Sequence, residues 1–272
     1  PQDEGKIRSG MSFGLFLLGE YLTSHDDLLL AARNLAAGLG GWNADLALLP
    51  MSGKQGELEF VKRVVGRNMI DGLFITHMAE AEGIIKYMRG IGMPCVFFSY
   101  MDRDLPCAGK VPYVGIRERE ALNEFAGRFK SVRILASEGP SLARVCELLE
   151  KGNRIRIRRI TRSGETEQIA SELETIRDSE LLIVGSLDIL PVFDSQARLR
   201  KGHDFRQNTL VFRHYPIDLS DYKGRYLVFD RPVDQVGLEA AALMREMILN
   251  QDSFRNSCRL PEKRLDAVIR LI

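Results

Sequence analysis

Gly224-Arg-Tyr-Leu-Val-Phe-Asp-Arg-Pro-Val-Asp-Gln-Val-Gly237 is the stretch whose reading decides the fold. Tyr226 to Phe229 is an apolar run of strand length, and Asp230-Arg231-Pro232 is a polar exit from it. Pro232 cannot donate to a sheet ladder, so it suits a strand end or the first turn of a helix. Asp234 then falls in that first turn, where a carboxylate meets the positive end of the helix dipole. The helix that follows, 236–249, is apolar on one side, and a short tail remains after it. A strand and a helix added this late return to a domain begun earlier. The segment is therefore expected to cross between two lobes, with a ligand cleft at the crossing.

Upstream, apolar strands and amphipathic helices alternate. Ser12-Phe-Gly-Leu-Phe-Leu-Leu18 is a continuous apolar run, the pattern of a strand buried on both faces of a parallel sheet. Strands are expected over 12–18, 44–49, 72–76, 95–99 and 111–116. The helices between them are expected over 27–39, 57–66, 79–89 and 118–129. A second set begins at Ser131, with strands over 132–136, 155–160, 181–185 and 208–213. Its helices are expected over 141–151, 165–176 and 188–199, the last broken or started at Pro191. Such alternation means βαβ units. The fold class is α/β, a two-lobed clamshell like a periplasmic binding protein, each lobe a parallel sheet flanked by helices. Residues 1–10 are a linker remnant. The N-terminal lobe is expected at 11–129 plus 231–254, and the C-terminal lobe at 130–230 plus 255–272.

The chain has 272 residues, 28% of them charged, and a formal net charge of +1. That balance gives the body of the chain no electrostatic case for holding nucleic acid unaided. Cys95, Cys107, Cys146 and Cys258 are scattered without a C-x-x-C pair, which fits free thiols in a reducing compartment. No apolar run is long enough to span a bilayer. A cytoplasmic protein without a membrane partner is expected.

Several segments are similar to the lactose/galactose-repressor (LacI/GalR) family of transcription regulators. Arg8-Ser-Gly-Met-Ser-Phe-Gly-Leu resembles the junction that leads into that family's Ile-Gly-Leu strand. Arg67-Asn-Met-Ile-Asp-Gly-Leu-Phe-Ile resembles its Val-Asp-Gly-Ile-Ile strand, and Gly92-Met-Pro-Cys-Val-Phe-Phe its Ile-Pro-Val-Val-Phe strand. Asp230-Arg-Pro-Val-Asp-Gln-Val-Gly237 is close to its Arg-Gln-Pro-Val-Glu-Glu-Leu-Gly segment, and Leu260-Pro-Glu-Lys-Arg-Leu265 resembles its closing Leu-Pro-x-x-Leu. The resemblance runs from residue 8 to residue 265. It implies an effector-binding, dimerising core whose lobes close on a small sugar or sugar derivative. Closure would act allosterically on operator DNA, held by a helix-turn-helix head that residues 1–7 cannot supply. It also implies a homodimer, with helices near 56–67 and 79–89 as the dimer surface and Met69 and Met88 as candidate contacts. A solute-binding protein of a sugar transporter is the alternative with the same fold; a helix-turn-helix or a signal peptide ahead of Pro1 would tell them apart.

Ligands of α/β sheets sit beyond the carboxyl ends of the strands. That rule and the resemblance together select Arg144, Asp188, Arg231, Ser99, Arg213, Tyr21, Thr76 and His25 as ligand-binding residues. Arg144 and Asp188 match family positions that hold sugar hydroxyls, although Asp188 is equally suited to cap a helix. The family's Asn beside that Asp is Leu187 here. Ser99, Arg213 and Arg231 replace polar or acidic contacts, so an anionic effector is one expectation. The other is that Arg213 and Arg231 face solvent or pair with Asp230 and Asp234. Tyr21, His25 and Tyr100 offer stacking or hydrogen bonding, with core or rim packing as the alternative. Arg154, Arg156 and Arg158 share one strand face, as in a solvated edge strand that resists aggregation.

No enzyme is expected and no cofactor or metal is called for. Ser52-Gly-Lys54-Gln lacks the upstream glycine and the following Ser/Thr of a P-loop. In His25-Asp26-Asp27, adjacent helix positions diverge, which spoils a metal site. There is no Gly-x-Ser-x-Gly elbow and no His-Glu-x-x-His, and His203-Asp204 has no nucleophile near it in sequence.

Overall fold

The computed structural model describes residues 10–18, 26–51, 56–67, 70–76, 80–98, 112–137, 145–149, 155–160, 165–200, 204–213, 218–250 and 262–271. The chain divides into two compact units: Pro1–Ile116 with Pro232–Leu265, and Arg117–Arg231 with Asp266–Ile272.

The first unit is built on a six-stranded sheet in the order β11-β5-β4-β3-β1-β2. Its strands are β1 (Ser12–Leu18), β2 (Asp45–Met51), β3 (Gly72–Thr76), β4 (Cys95–Phe98), β5 (Tyr113–Arg117) and β11 (Glu262–Asp266). β2, β1, β3, β4 and β5 run parallel. Alternation divides the side chains between two faces. Phe16, Leu73, Ile75 and Phe97 pack with Val61, Val64 and Val65 of helix α2 (Glu57–Gly66) and with Ile84, Ile85 and Met88 of helix α3 (Ala81–Ile91). On the other face Phe13, Phe74 and Phe98 meet edge to face, with ring centroids 5.9 and 6.5 Å apart. Helix α1 (Asp26–Gly40) and the long helix Val233–Leu249 pack against each other in this unit, at a separation that only glycine permits. A Cβ on Gly237 would lie 2.1 Å from the Ala31 carbonyl oxygen, and one on Gly38 would lie 2.7 Å from the Ala241 Cβ. The amino ends of α2 and α3 cap each other: the Leu58 N–H donates to Glu80 and the Glu80 N–H donates to Glu57, both at 2.7 Å. These carboxylates satisfy amides that a helix start leaves open.

The second unit repeats the plan, in the order β12-β10-β9-β8-β6-β7. Its strands are β6 (Ser131–Ala136), β7 (Ile155–Arg159), β8 (Glu180–Val184), β9 (Thr209–Phe212), β10 (Leu227–Asp230) and β12 (Val268–Leu271). All run parallel except β12, which is antiparallel to β10. Helix α4 (Arg119–Ala126) opens the unit, and α5 (Glu165–Thr175) and α6 (Leu190–Leu199) follow. Helix Val233–Leu249 is α7. One core cluster brings Leu135, Leu182, Val184, Val211 and Val228 against Ile169, Leu173, Leu190 and Phe193. Phe212 and Phe229 stack at 4.9 Å. Arg133, in the middle of β6, is buried. It donates to Glu172 Oε2 and Glu180 Oε2 at 3.0 Å each and to Thr175 Oγ1 at 2.7 Å.

The unit boundaries fall at 116/117, 231/232 and 265/266. The sequence points to 129/130, 230/231 and 254/255, and two of these differ for physical reasons. Helix α4 belongs to the second unit, where Asn123 Nδ2 donates to the Leu148 carbonyl at 2.8 Å. The segment before Ala267 joins the first sheet as β11 beside β5. The polar sequence Glu262-Lys-Arg-Leu-Asp266 hides that strand from a hydrophobic reading. Met88, expected on a dimer surface, is fully buried in the first core; Met69 lies outside the described residues.

Candidate ligand-binding site

The carboxyl ends of β6, β8, β9 and β10 are neighbours in the second sheet, and the residues just past them form a polar rim. Ser137 follows β6, and Gly185-Ser186-Leu187-Asp188 follows β8. Arg213 follows β9, and Asp230-Arg231 closes β10. The Gly185 N–H donates to the Leu135 carbonyl at 2.8 Å, which holds the β8 exit against β6.

Asp188 is exposed, in a single 3-10 turn, Leu187–Ile189, ahead of α6. Pro191 sits in the first turn of α6, as its missing N–H allows. The capping position is Ile189, with no side-chain cap bond. Asp188 instead accepts the Ser137 hydroxyl at 3.1 Å. Its carboxylate is held at the rim by one weak neutral donor, which leaves it lone pairs for a ligand hydroxyl. Beside it Ser186 is 4% exposed, and its buried Oγ has no hydrogen-bond partner among the described residues.

Arg231 is placed differently from the expectation of a rim cation. Its Nε donates to Glu118 Oε1, and the two side chains are 2% and 0% exposed. Neither expected carboxylate is that partner: Asp230 goes to Arg213 and Arg270. Arg231 therefore presents no free charge to the rim. The physical reason is that the turn out of β10 points the guanidinium at the residue between β5 and α4, where a buried carboxylate demands a cation. Arg213 does pair with Asp230, as one of the two expectations had it, and the Asp230 carboxylate is shared with Arg270 of β12.

In the first unit Thr76, at the end of β3, is buried, and its hydroxyl donates to the Phe16 carbonyl of β1 at 3.2 Å. Tyr21, His25, Ser99 and Arg144 lie outside the described residues, as does Tyr100. The strand-end rule reaches Ser186 together with Asp188; the rim residues that sequence reasoning did not single out are Ser137, which the same rule would have found, and Arg270. Arg270 arrives on an antiparallel strand that the sequence conceals.

Arg156 and Arg158 lie on β7, the exposed edge of the second sheet, and Arg158 approaches Glu172 at 3.5 Å. Cys95 and Cys146 are free thiols; burial pushes the Cys146 thiol up, against the pull of the Arg159 charge. Among the described residues no helix is long and apolar enough to cross a membrane, and no group of His, Cys, Asp or Glu is placed to hold a metal.

No protein-family model and no curated relative matches the chain. Solved structures do, over nearly its whole length. A LacI family transcription regulator from Clostridium acetobutylicum shares 14% identity at a TM-score of 0.59, covering 96% of this chain and 99% of that one. A LacI family regulator from Enterococcus faecalis with bound ribose shares 14% identity at a TM-score of 0.55, covering 95% and 96%. The transcriptional regulator CelR in complex with cellobiose shares 12% identity at a TM-score of 0.54, covering 97% and 85%. The chain has the two-lobed, periplasmic-binding-protein-like α/β fold of these regulators.

Proposed function

We propose that this chain is the effector-sensing core of a sugar-responsive transcription regulator of the LacI/GalR type. The observation that carries the reading is the end-to-end match of both units to regulators of that kind, two of them solved with a sugar bound. Each unit has the parallel sheet the reading needs, and the second has a polar rim at its strand ends. The effector is a neutral, hydroxyl-rich sugar. Arg231, one of the residues that favoured an anion, is neutralised by Glu118. The described rim balances Asp188 and Asp230 against Arg213 and Arg270. Asp188 accepts sugar hydroxyls, and Ser137 orients Asp188. Arg144, Ser99, Tyr21 and His25 complete the set. The protein acts as a homodimer without catalysis. Its lobes close on the sugar, and differential affinity for open and closed forms is transmitted to a DNA-binding head.

Isothermal titration of the purified chain with a panel of pentoses, hexoses and disaccharides tests this. Saturable binding of at least one neutral sugar is expected. Asp188→Asn should weaken it about tenfold or more, the worth of a charge-assisted hydrogen bond. Binding confined to phosphorylated or acidic sugars, or unchanged by Asp188→Asn, would overturn the assignment.

A further inference from the structure

The second unit carries another polar hollow at the opposite, amino-terminal ends of its strands. Asp194, Ala197 and Arg198 of α6, Phe205 and Arg206 ahead of β9, and Gly224, Arg225 and Tyr226 ahead of β10 line an open, shallow depression of about 210 Å³. The lining holds three guanidiniums and one carboxylate. That carboxylate is already spent. Asp194 is buried and accepts the Tyr226 hydroxyl at 2.8 Å, the Arg198 Nε at 2.8 Å, and Arg225 Nη1 at 2.9 and 3.0 Å. It works as a bracket that fixes two arginines by one end and leaves their other donors idle. Nε and Nη2 of Arg225 and Nη1 of Arg198 donate to nothing among the described residues. Arg206 reaches the hollow with Nε tied to Asp204 at 2.9 Å, and among the described residues its two Nη groups meet no acceptor and face solvent.

The three arginines converge on the hollow because carboxylates draw them there, Asp194 holding Arg198 and Arg225 and Asp204 holding Arg206. Here the geometry is imposed by a buried anchor and by an open floor. Gly224 adopts φ +74°, and a Cβ there would meet nothing within 4 Å. We propose that this hollow binds a phosphate monoester dianion or free phosphate, with Arg225, Arg206 and Arg198 as its donors. A phosphate offers three or more oxygens to forked donors, the pairing for which guanidinium geometry is suited. The carboxyl end of α6 opposes an anion here, and Asp194 and Asp204 offset two of the three guanidinium charges, so one net positive charge and the forked donors facing the hollow carry the attraction. The site is separate from the rim at the strands' carboxyl ends and does not depend on the sugar assignment.

The test is titration of the intact chain with inorganic phosphate and with glycerol 3-phosphate, at constant ionic strength against chloride, following binding heat and melting temperature. Saturable binding of at least one is expected: tighter binding of the ester assigns a phosphorylated metabolite, and equal binding assigns the free ion. Arg206→Gln, an exposed position with no part in the Asp194 bracket, should fold normally and bind about tenfold more weakly. Arg225→Gln should weaken binding further, and Asp188→Asn should leave it unchanged. Absence of saturable binding, or binding that survives Arg206→Gln intact, overturns the proposal. So does binding lost in Asp188→Asn but kept in Arg206→Gln, which would move the anion to the rim.

Discussion

Asp194 and Glu180 are carboxylates of the second unit that the fold holds in their charged form. Burial pushes the Asp194 carboxyl up, but donors from Tyr226, Arg198 and Arg225 outweigh it and hold the group below its ordinary range. Glu180 behaves alike, with burial opposed by Ser131, the Arg177 amide and Arg133. Burial and Asp194 together push the Tyr226 phenol up. A carboxylate whose folded value lies under its unfolded value of about 4 stabilises the fold fully above that pH and loses the contribution as pH falls through the folded value. Urea midpoints should therefore drop on acidification from about pH 5 to pH 3. Asp194→Asn should cost about 2–3 kcal/mol at pH 7 and flatten that fall, because the variant has no proton to gain there. The Glu118–Arg231 pair is more demanding still. Arg231→Met leaves a buried carboxylate short of its cation and should cost about 3–5 kcal/mol, read by denaturant unfolding, with part recovered in Glu118→Met/Arg231→Met. Apart from the i,i+4 pair Asp194–Arg198, these pairings were not legible in the sequence. Arg133 reads as an odd charge in an apolar run, and Arg231 as a rim cation. A partner 47 or 113 residues away is fixed by tertiary placement alone.

At the scale of elements the sequence was far more explicit, because period and punctuation are local. The apolar runs of β1, β3, β4, β6, β8 and β9 read directly as doubly covered parallel strands, and the α7 pattern as a one-sided helix. The losses were β11 and β12. Glu262-Lys-Arg-Leu-Asp266 and Val268-Ile-Arg-Leu271 are short and mostly exposed, so no buried face imprints a pattern on them. The α1–α7 seam was equally silent, since a glycine in a helix announces nothing about what approaches it. Its energetics are testable. Gly237→Ala drives a methyl into the backbone of α1 and should cost about 3 kcal/mol or more. Gly40→Ala, where a Cβ meets nothing within 4 Å, should stay within about 1 kcal/mol of the parent in thermal melts.

For the whole molecule, the two-unit α/β plan was legible because alternation repeats twice, and each unit's sheet is mostly parallel, with the antiparallel β12 as a departure in the second. The carboxyl-end rule placed Asp188 and Arg213 on the rim; it could not say which charges the protein had already spent on itself.

The return of α7 to the first unit also dictates an order of birth. Residues 1–116 leave the ribosome with one face of their sheet only partly covered by α1 and Trp42, because Ala31, Leu35 and Phe13 wait for Met244, Ala241 and Gly237, which are translated over a hundred residues later. The segment 117–231 has by then emerged with five of its six strands. Assembly is thus expected to reverse the usual progression from the amino terminus. Nascent chains stalled after residue 231, with a linker spanning the exit tunnel, should resist protease across the second unit while the first remains cleavable. Extending the stall past residue 265 should protect both. The helix that closes the first unit thereby makes its completion a late event in synthesis.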